Sequence, residues 1–337
     1  MTRRERVHQA IGHRQPDKVP WNIGLTIPAA AKLAAEVGCP VGELGEWMGN
    51  HLYSAHPSAA DAWQEVKAGH WRDEFGVVWN RTVDPDIGVI EQYQLSEPAL
   101  GGYRFPDPET SARWEGFEAQ LAEAGDRFIV CSIGFSLFER AWTLRGMVNL
   151  LMDMLEAPEF VDELLDAICD YNVSLVERAA KYDIDAIYFG DDWGQQRGLI
   201  MGPLLWRRFV KPRVERMYGA VKRQGKRVVI HSCGDVDELF PDLIAAGLDV
   251  FNPFQPEVMD VFQMKEQFGD NLTFLGGMSI QKVMPFGTPE DVHREAFRLM
   301  ERVGANGGYI LSPSHDIPRD VPVENILALV RAVRDEQ

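Results

Sequence analysis

The stretch "KRVVIHSCGD", residues 226–235, decides how this chain reads. A basic pair leads into Val228, Val229 and Ile230, a continuous apolar run of the kind that forms a strand buried on both faces. Where that strand ends, a histidine and a cysteine stand two residues apart, followed by Gly234 and Asp235. The same grammar recurs on either side in "DIDAIYFGDD" (183–192), "GLDVFNPF" (247–254), "NLTFLGGM" (271–278) and "GGYILSPSHD" (307–316). Between the runs lie stretches with helical apolar spacing, such as "VDELFPDLIAAG" and "PEDVHREAFRLMERVGANGG". Short apolar runs alternating with helices predict a parallel sheet.

Upstream, "RFIVCSIGF" (127–135) is a further strand of this type, followed by "FERAWTLRG" (138–146) and a helical block that reaches "AAKY" at residue 182. The first 125 or so residues are less regular. There "MTRRERVHQAIGH" reads as an opening helix, "VPWNIGL" as the first barrel strand and "WRDEFGVVWNRT" as a twisted β segment around Gly76. The region "TIPAAAKLAAEVGCPVGELGEWMGNHLYSAHP" reads as a helical insertion. The expected fold class is α/β: one (β/α)8 TIM barrel spanning residues 1–337, with an elaborated N-terminal region.

Composition narrows the function. Of 337 residues, 45% are hydrophobic and 25% charged, enough to bury a full core. A net charge of -17 repels phosphate backbones and anionic lipid, so neither nucleic acid nor membrane is an expected partner. No apolar leader or 18-residue apolar run occurs, and the four cysteines (39, 131, 169, 233) are too irregularly spaced for a disulfide framework. A cytoplasmic protein is expected.

In barrels of this kind chemistry gathers on the loops at the C-terminal ends of strands. Asp191, Asp192, His231, Cys233, Asn252, His315 and Asp316 all fall there. Their convergence is the main indication of an active site.

The segments "YFGDDWGQQRGLIMGPLLWRRFVKPRVERM", "HSCGDV", "LDVFNPFQPE", "LGGMSIQ" and "PVENILALVRAV", with the opening "RRERVHQAIGHRQPDKVP", resemble the uroporphyrinogen decarboxylase superfamily. The resemblance implies a β/α barrel and a tendency to dimerise. True uroporphyrinogen decarboxylases carry an N-terminal Arg-Gln-Ala-Gly-Arg-type segment whose arginines bind substrate carboxylates. The corresponding "WNIGLTIPAAAKLAAEVG" here has none, which argues against porphyrinogen decarboxylation. The superfamily's other branch comprises zinc-dependent methyltransferases that move a methyl group between a separate corrinoid protein and an acceptor such as a thiol. Their signature is similar to His-x-Cys after one strand with a further Cys near the last strands. His231 and Cys233 match the first part, whereas "LSPSHDIP" places His315 where the later cysteine would stand.

The residues themselves make a parallel case. Imidazole and thiolate suit zinc, and catalytic zinc sites use three protein ligands with one open position. Two residues apart at a strand end, His231 and Cys233 can face the same way, and His315 at another strand end can complete the set. The plainer reading makes His231 a hydrogen-bonded histidine at the barrel mouth and Cys233 a small hydrophobe. Asp191 or Asp192 could add an oxygen ligand or cap a turn, and Asp235 and Asp316 could orient the imidazoles. One thiolate with two histidines leaves zinc more positive than two thiolates with one histidine. That weakens the thiol-methylation inference and admits a Lewis-acid lyase, decarboxylase or hydrolase acting on a small organic acid.

Other candidates are Glu139 as acid or base, Arg140 as an anchor for an organic acid, and Arg145 as a carboxylate or phosphate contact. An internal Glu-Arg pair accounts for them equally well. Asn252 and Gln255 could bind substrate or merely end a strand before proline, Trp193 could line the pocket, and Gly276-Gly277 allow close backbone approach. "DVHREA" (291–296) is not read as a corrinoid motif, because Ala296 replaces the required glycine and the spacing is helical. A corrinoid would arrive on a separate protein. His51, His56 and His70 have no ligand spacing.

Overall fold

The computed structural model describes residues 1–58, 62–84 and 86–335. Its strands are β1 (Leu52–Ala55), β2 (Trp63–Lys67), β3 (His70–Asp73), β4 (Val78–Asn80), β5 (Val89–Gln92), β6 (Phe128–Ile133), β7 (Ala186–Gly190), β8 (Arg227–His231), β9 (Val250–Phe254), β10 (Thr273–Met278) and β11 (Tyr309–Pro313). Seven pair into one parallel sheet in the order β1-β6-β7-β8-β9-β10-β11. The apolar runs are continuous because both faces of this sheet are covered: β9, β10 and β11 are buried at every position.

The sheet forms seven ladder strands where the sequence predicts eight. The expected first strand, within residues 19–25, is an extended segment that makes isolated parallel bridges, Trp21 with Leu311 and Leu25 with Ile317. On one side Asn22 N–H donates to Leu311 O and Leu311 N–H to Pro20 O, both at 2.9 Å. On the other side His51 N–H donates to Trp21 O at 2.9 Å, and the Asn50 side chain takes both backbone groups of Ile23, at 2.9 and 3.0 Å. Pro20 has no N–H to offer, and a side-chain amide replaces a backbone rung, so a ladder cannot run on.

The opening helix, Arg3–Ile11, begins with a Thr2/Glu5 capping box. Its Val7 and Ile11 pack with Phe128, Ala186 and Val250, residues that open β6, β7 and β9. This helix therefore covers the N-terminal ends of the strands. Arg4 fastens it there through Asp185 at 2.9 Å and Asp183 at 2.8 Å.

The expected helical insertion is only partly helical: it holds a helix at Ile27–Val37, ended by Gly38 in the left-handed conformation, and two short turns. Its last residues instead form β1, which pairs with β6 at the edge of the parallel sheet and was read as insertion because the run Leu52–Ala55 is too short to stand out. The β segment around Gly76 is the hairpin β3–β4. It belongs to a four-stranded antiparallel sheet, β2-β3-β4-β5, whose outer strands the sequence reading missed. "DVHREA" lies inside the helix Pro289–Arg302, as the spacing predicts, with Ala296 fully buried. Gly276 lets β10 pass close to β9: a Cβ there would lie 2.5 Å from Phe254 N. Among the described residues no helix is long and apolar enough to cross a membrane.

Candidate metal centre and cavity

Alternation along the strands turns one set of side chains toward a common cavity of about 460 Å³. Every strand of the parallel sheet contributes: Ser54, Val130, Tyr188, His231, Asn252, Leu275 and Ser312. A sheet whose seven strands all face one cavity is curled around it. His56 from the loop after β1, Asn22 and Gly24 of the bridging segment, and His315 and Asp316 from the loop after β11 also line it.

His231 and His315, both in this wall, come together with Cys233 beside it, each offering a donor atom within 4.8 Å of the others. Cys233 Sγ lies 3.4 Å from His231 Nε2, and the two imidazole rings sit edge to face with centroids 5.4 Å apart. His231 and Cys233 are half-buried and His315 is exposed. The Asn252 amide nitrogen donates to Leu275 O at 3.0 Å, which turns its oxygen toward His231 Nδ1 at 2.7 Å. An amide oxygen only accepts, so Nδ1 carries the proton and Nε2 presents its lone pair toward Cys233. Tyr188 Oη donates to the same amide oxygen at 2.6 Å and lies 3.1 Å from Nδ1. Burial holds the His231 pKa below the usual histidine value. It pushes the Cys233 thiol well up, and neighbouring Asp192 and Glu139 add to that.

Asp191 and Asp192 turn opposite ways. Asp191, fully buried, accepts the backbone N–H groups of Leu137 and Phe138 at 3.1 Å and of Glu139 at 2.8 Å, and also the Trp193 indole N–H. It caps the helix Phe138–Arg145. Asp192 Oδ1 instead accepts Cys233 N–H at 2.8 Å and stands 3.8 Å from His231 Nε2. Gln255 Oε1 accepts Gly234 N–H at 2.7 Å, and Asp235 accepts Gly198 N–H at 3.1 Å. Gly234, at φ 87°, lies so close to Gly194 that a Cβ would come within 2.3 Å of its carbonyl carbon. The loops after β7 and β8 are thereby locked together, and Cys233 is fixed in place.

Of the remaining candidates, Trp193, Arg145 and Arg140 are held by partners outside the donor set. Trp193 is fully buried against Trp206. Arg145 donates to Asp153 at 2.6 Å and to the carbonyls of Leu95 and Ser96, tying down the chain before the helical block. Arg140 is paired with buried Asp73 at 2.9 Å and stacks 3.9 Å from the Phe75 ring centre. It faces a separate pocket of about 160 Å³ that shares His56 with the central cavity. Glu139 lies near Asp191 and Asp192, and burial first, then those charges, raises its pKa well above the usual value.

Tyr188 and His56 are cavity residues that sequence reasoning missed. Tyr188 was open to discovery, because it precedes Gly190 by two and so shares the inward face that His231 occupies on β8. His51 is packed against Trp21, and His70 bonds Ala68 O at 2.9 Å and Glu91 at 3.0 Å.

Fold and site together define an α/β protein with a curled parallel sheet and a candidate metal centre beyond the C-terminal ends of its strands, where such folds carry their chemistry. The chain belongs to the uroporphyrinogen decarboxylase family, whose model matches residues 119–336. It is 25% identical over 198 residues to a methylated-thiol–coenzyme M methyltransferase of Methanosarcina mazei, covering 59% of this chain and 51% of that protein. It is also 25% identical over 218 residues to a uroporphyrinogen decarboxylase of Magnetococcus marinus, covering 60% and 58%. The match thus spans little more than half the length of these curated relatives. A solved methyltransferase structure from Methanosarcina mazei superposes with a TM-score of 0.76 at 18% identity, over 99% of this chain and 98% of that one, a likeness of fold.

Proposed function

We propose that this chain is a zinc-dependent methyltransferase that moves a methyl group between a separate corrinoid protein and a small acceptor such as a thiol. The observation that carries the reading is the grouping of His231, Cys233 and His315 within 4.8 Å beside a cavity. The donors fit zinc: two imidazoles and one thiol, one imidazole held with Nε2 forward, and room for a fourth ligand on the cavity side. Bound there, zinc would supply the positive charge that lets a thiol shed its proton near neutral pH.

The chain's own residues do the rest. Asn252 and Tyr188 orient His231, Asp192 fixes the backbone at Cys233, and Val130 and Leu275 give the acceptor an apolar wall. Similarity to a methylated-thiol methyltransferase supports the assignment. A metal-assisted lyase, decarboxylase or hydrolase is the second reading, favoured by the second histidine. Its anchor, Arg140, is already neutralised by Asp73. We read the fold as a (β/α)8 barrel with its first strand reduced to the bridging segment, and the protein as a cytoplasmic homodimer.

Metal analysis of the purified chain tests this. Stoichiometric zinc is expected, and its loss in His231→Ala and in Cys233→Ala. A wild-type protein without stoichiometric metal overturns both readings. Mixing the zinc form with methylcobalamin and thiols should then change the corrin spectrum by demethylation, and a spectrum that no thiol changes moves the assignment to the second reading.

A further inference from the structure

The central cavity presents a carboxylate and, among the described residues lining it, neither lysine nor arginine. Residues 59–61, 85, 336 and 337 include no lysine or arginine either. The nearby arginines of the smaller pocket are neutralised, Arg140 by Asp73 and Arg113 by Glu74. Asp316, by contrast, has neither an ion-pair nor a hydrogen-bond partner among the described residues. Its carboxylate lies against the bare backbone of Gly24, where a Cβ would come within 2.0 Å of Oδ1. The bridging segment therefore sets how far that carboxylate can swing.

We propose that Asp316 selects the acceptor by charge, taking molecules whose end remote from the reacting atom is positive, such as an ammonium group, and rejecting those that end in a carboxylate or sulfonate. The proposal rests on the reading of this cavity as the acceptor's site. Asp316 is exposed where it lines the cavity, so water screens it in part, and its attraction for a cation and repulsion of an anion act through closeness to the bound tail. Specificity then comes from the repulsion as much as from the attraction. With no lysine or arginine among the described residues of the wall, and with the charge of a bound zinc balanced by Cys233 and the acceptor's own thiolate, an anionic tail would gain no side-chain partner on entering.

The test is calorimetric titration of the zinc-loaded full chain with three thiols of equal length: (2-mercaptoethyl)trimethylammonium, 2-mercaptoethanol and 2-mercaptoethanesulfonate. The quaternary nitrogen cannot itself ligate the metal, and because tail charge also shifts the acidity of the thiol, the change in spread between wild type and Asp316→Asn is what reports the carboxylate. Affinity is expected to fall in that order, by about tenfold or more from first to last. In Asp316→Asn the spread should shrink to about twofold. Gly24→Ala, which pushes the carboxylate aside without changing any charge, should also narrow it. A sulfonate that binds as tightly as the ammonium, or a preference that survives intact in Asp316→Asn, overturns the proposal. If 2-mercaptoethanol itself fails to bind, the acceptor-site reading fails and this inference with it. If it binds but the charge order is absent, charge selection alone is wrong.

Discussion

His231 has its orientation chosen by a residue 21 positions away, and that choice decides whether the donor set can work at all. With Nδ1 held on the Asn252 amide oxygen, Nε2 is the nitrogen left for a metal. Asn252 is a positioning residue here, where the sequence offered it as a substrate contact. Asn252→Ala should lower zinc affinity about 10–100-fold, as is usual when an outer partner of a ligand is lost. Competition with a chromophoric chelator measures this, with circular dichroism as the check that the fold is kept. Unchanged affinity would mean that something other than Asn252 holds the ring. Cys233 is held differently, through its backbone: Asp192 accepts its N–H and Gln255 that of Gly234.

At the scale of elements, the loop after β7 joins two jobs in two consecutive residues. Asp191 reaches back to the start of the helix Phe138–Arg145, where the free N–H groups and the helix dipole favour a carboxylate. Burial nevertheless raises its pKa from the ordinary 3.8 to about 6. The folded chain thus keeps a proton that the unfolded chain releases, and this group's contribution to stability falls as pH rises from about 4 to about 6. Glu139, also raised, acts in the same direction. His51, held down to about 4 by burial, acts oppositely, since its unfolded form gains the proton first as pH falls. Comparison with Asp191→Asn separates the first contribution: the variant should show a flatter dependence of stability on pH over this window, by about 1–3 kcal/mol. Urea unfolding at a series of pH values reads it out. Parallel profiles for the two proteins would show that Asp191 does not titrate there.

For the molecule as a whole, the two ends of the curled sheet have different tasks. The C-terminal end carries the donor set and the polar wall, and the N-terminal end is closed by the helix Arg3–Ile11 over an apolar layer. Ile11, 3% exposed, is part of that closure. Ile11→Ala should cost about 2–4 kcal/mol of stability by the lost burial and the cavity left behind, while zinc affinity stays unchanged because the site lies at the opposite end. Denaturant unfolding together with the chelator titration checks both halves. A fall in zinc affinity without partial unfolding would show that the two ends are coupled.

The sequence by itself determined that strands alternate with helices in one parallel sheet, and that His231, Cys233 and His315 stand at strand ends. Those features are written in short apolar runs and in the period of two along a strand, properties that act over a few residues. It did not determine that Pro20 and Asn50 would reduce the first strand to isolated bridges, nor that β2 and β5 would flank the hairpin at Gly76. Nor could it separate Asp191 from Asp192, or foresee that Arg140 would meet Asp73, 67 positions away, and Arg145 would meet Asp153 and two carbonyls. Only the tertiary structure decided these, because a buried charge takes whichever partner packing brings within reach, and that partner comes from another element of the fold.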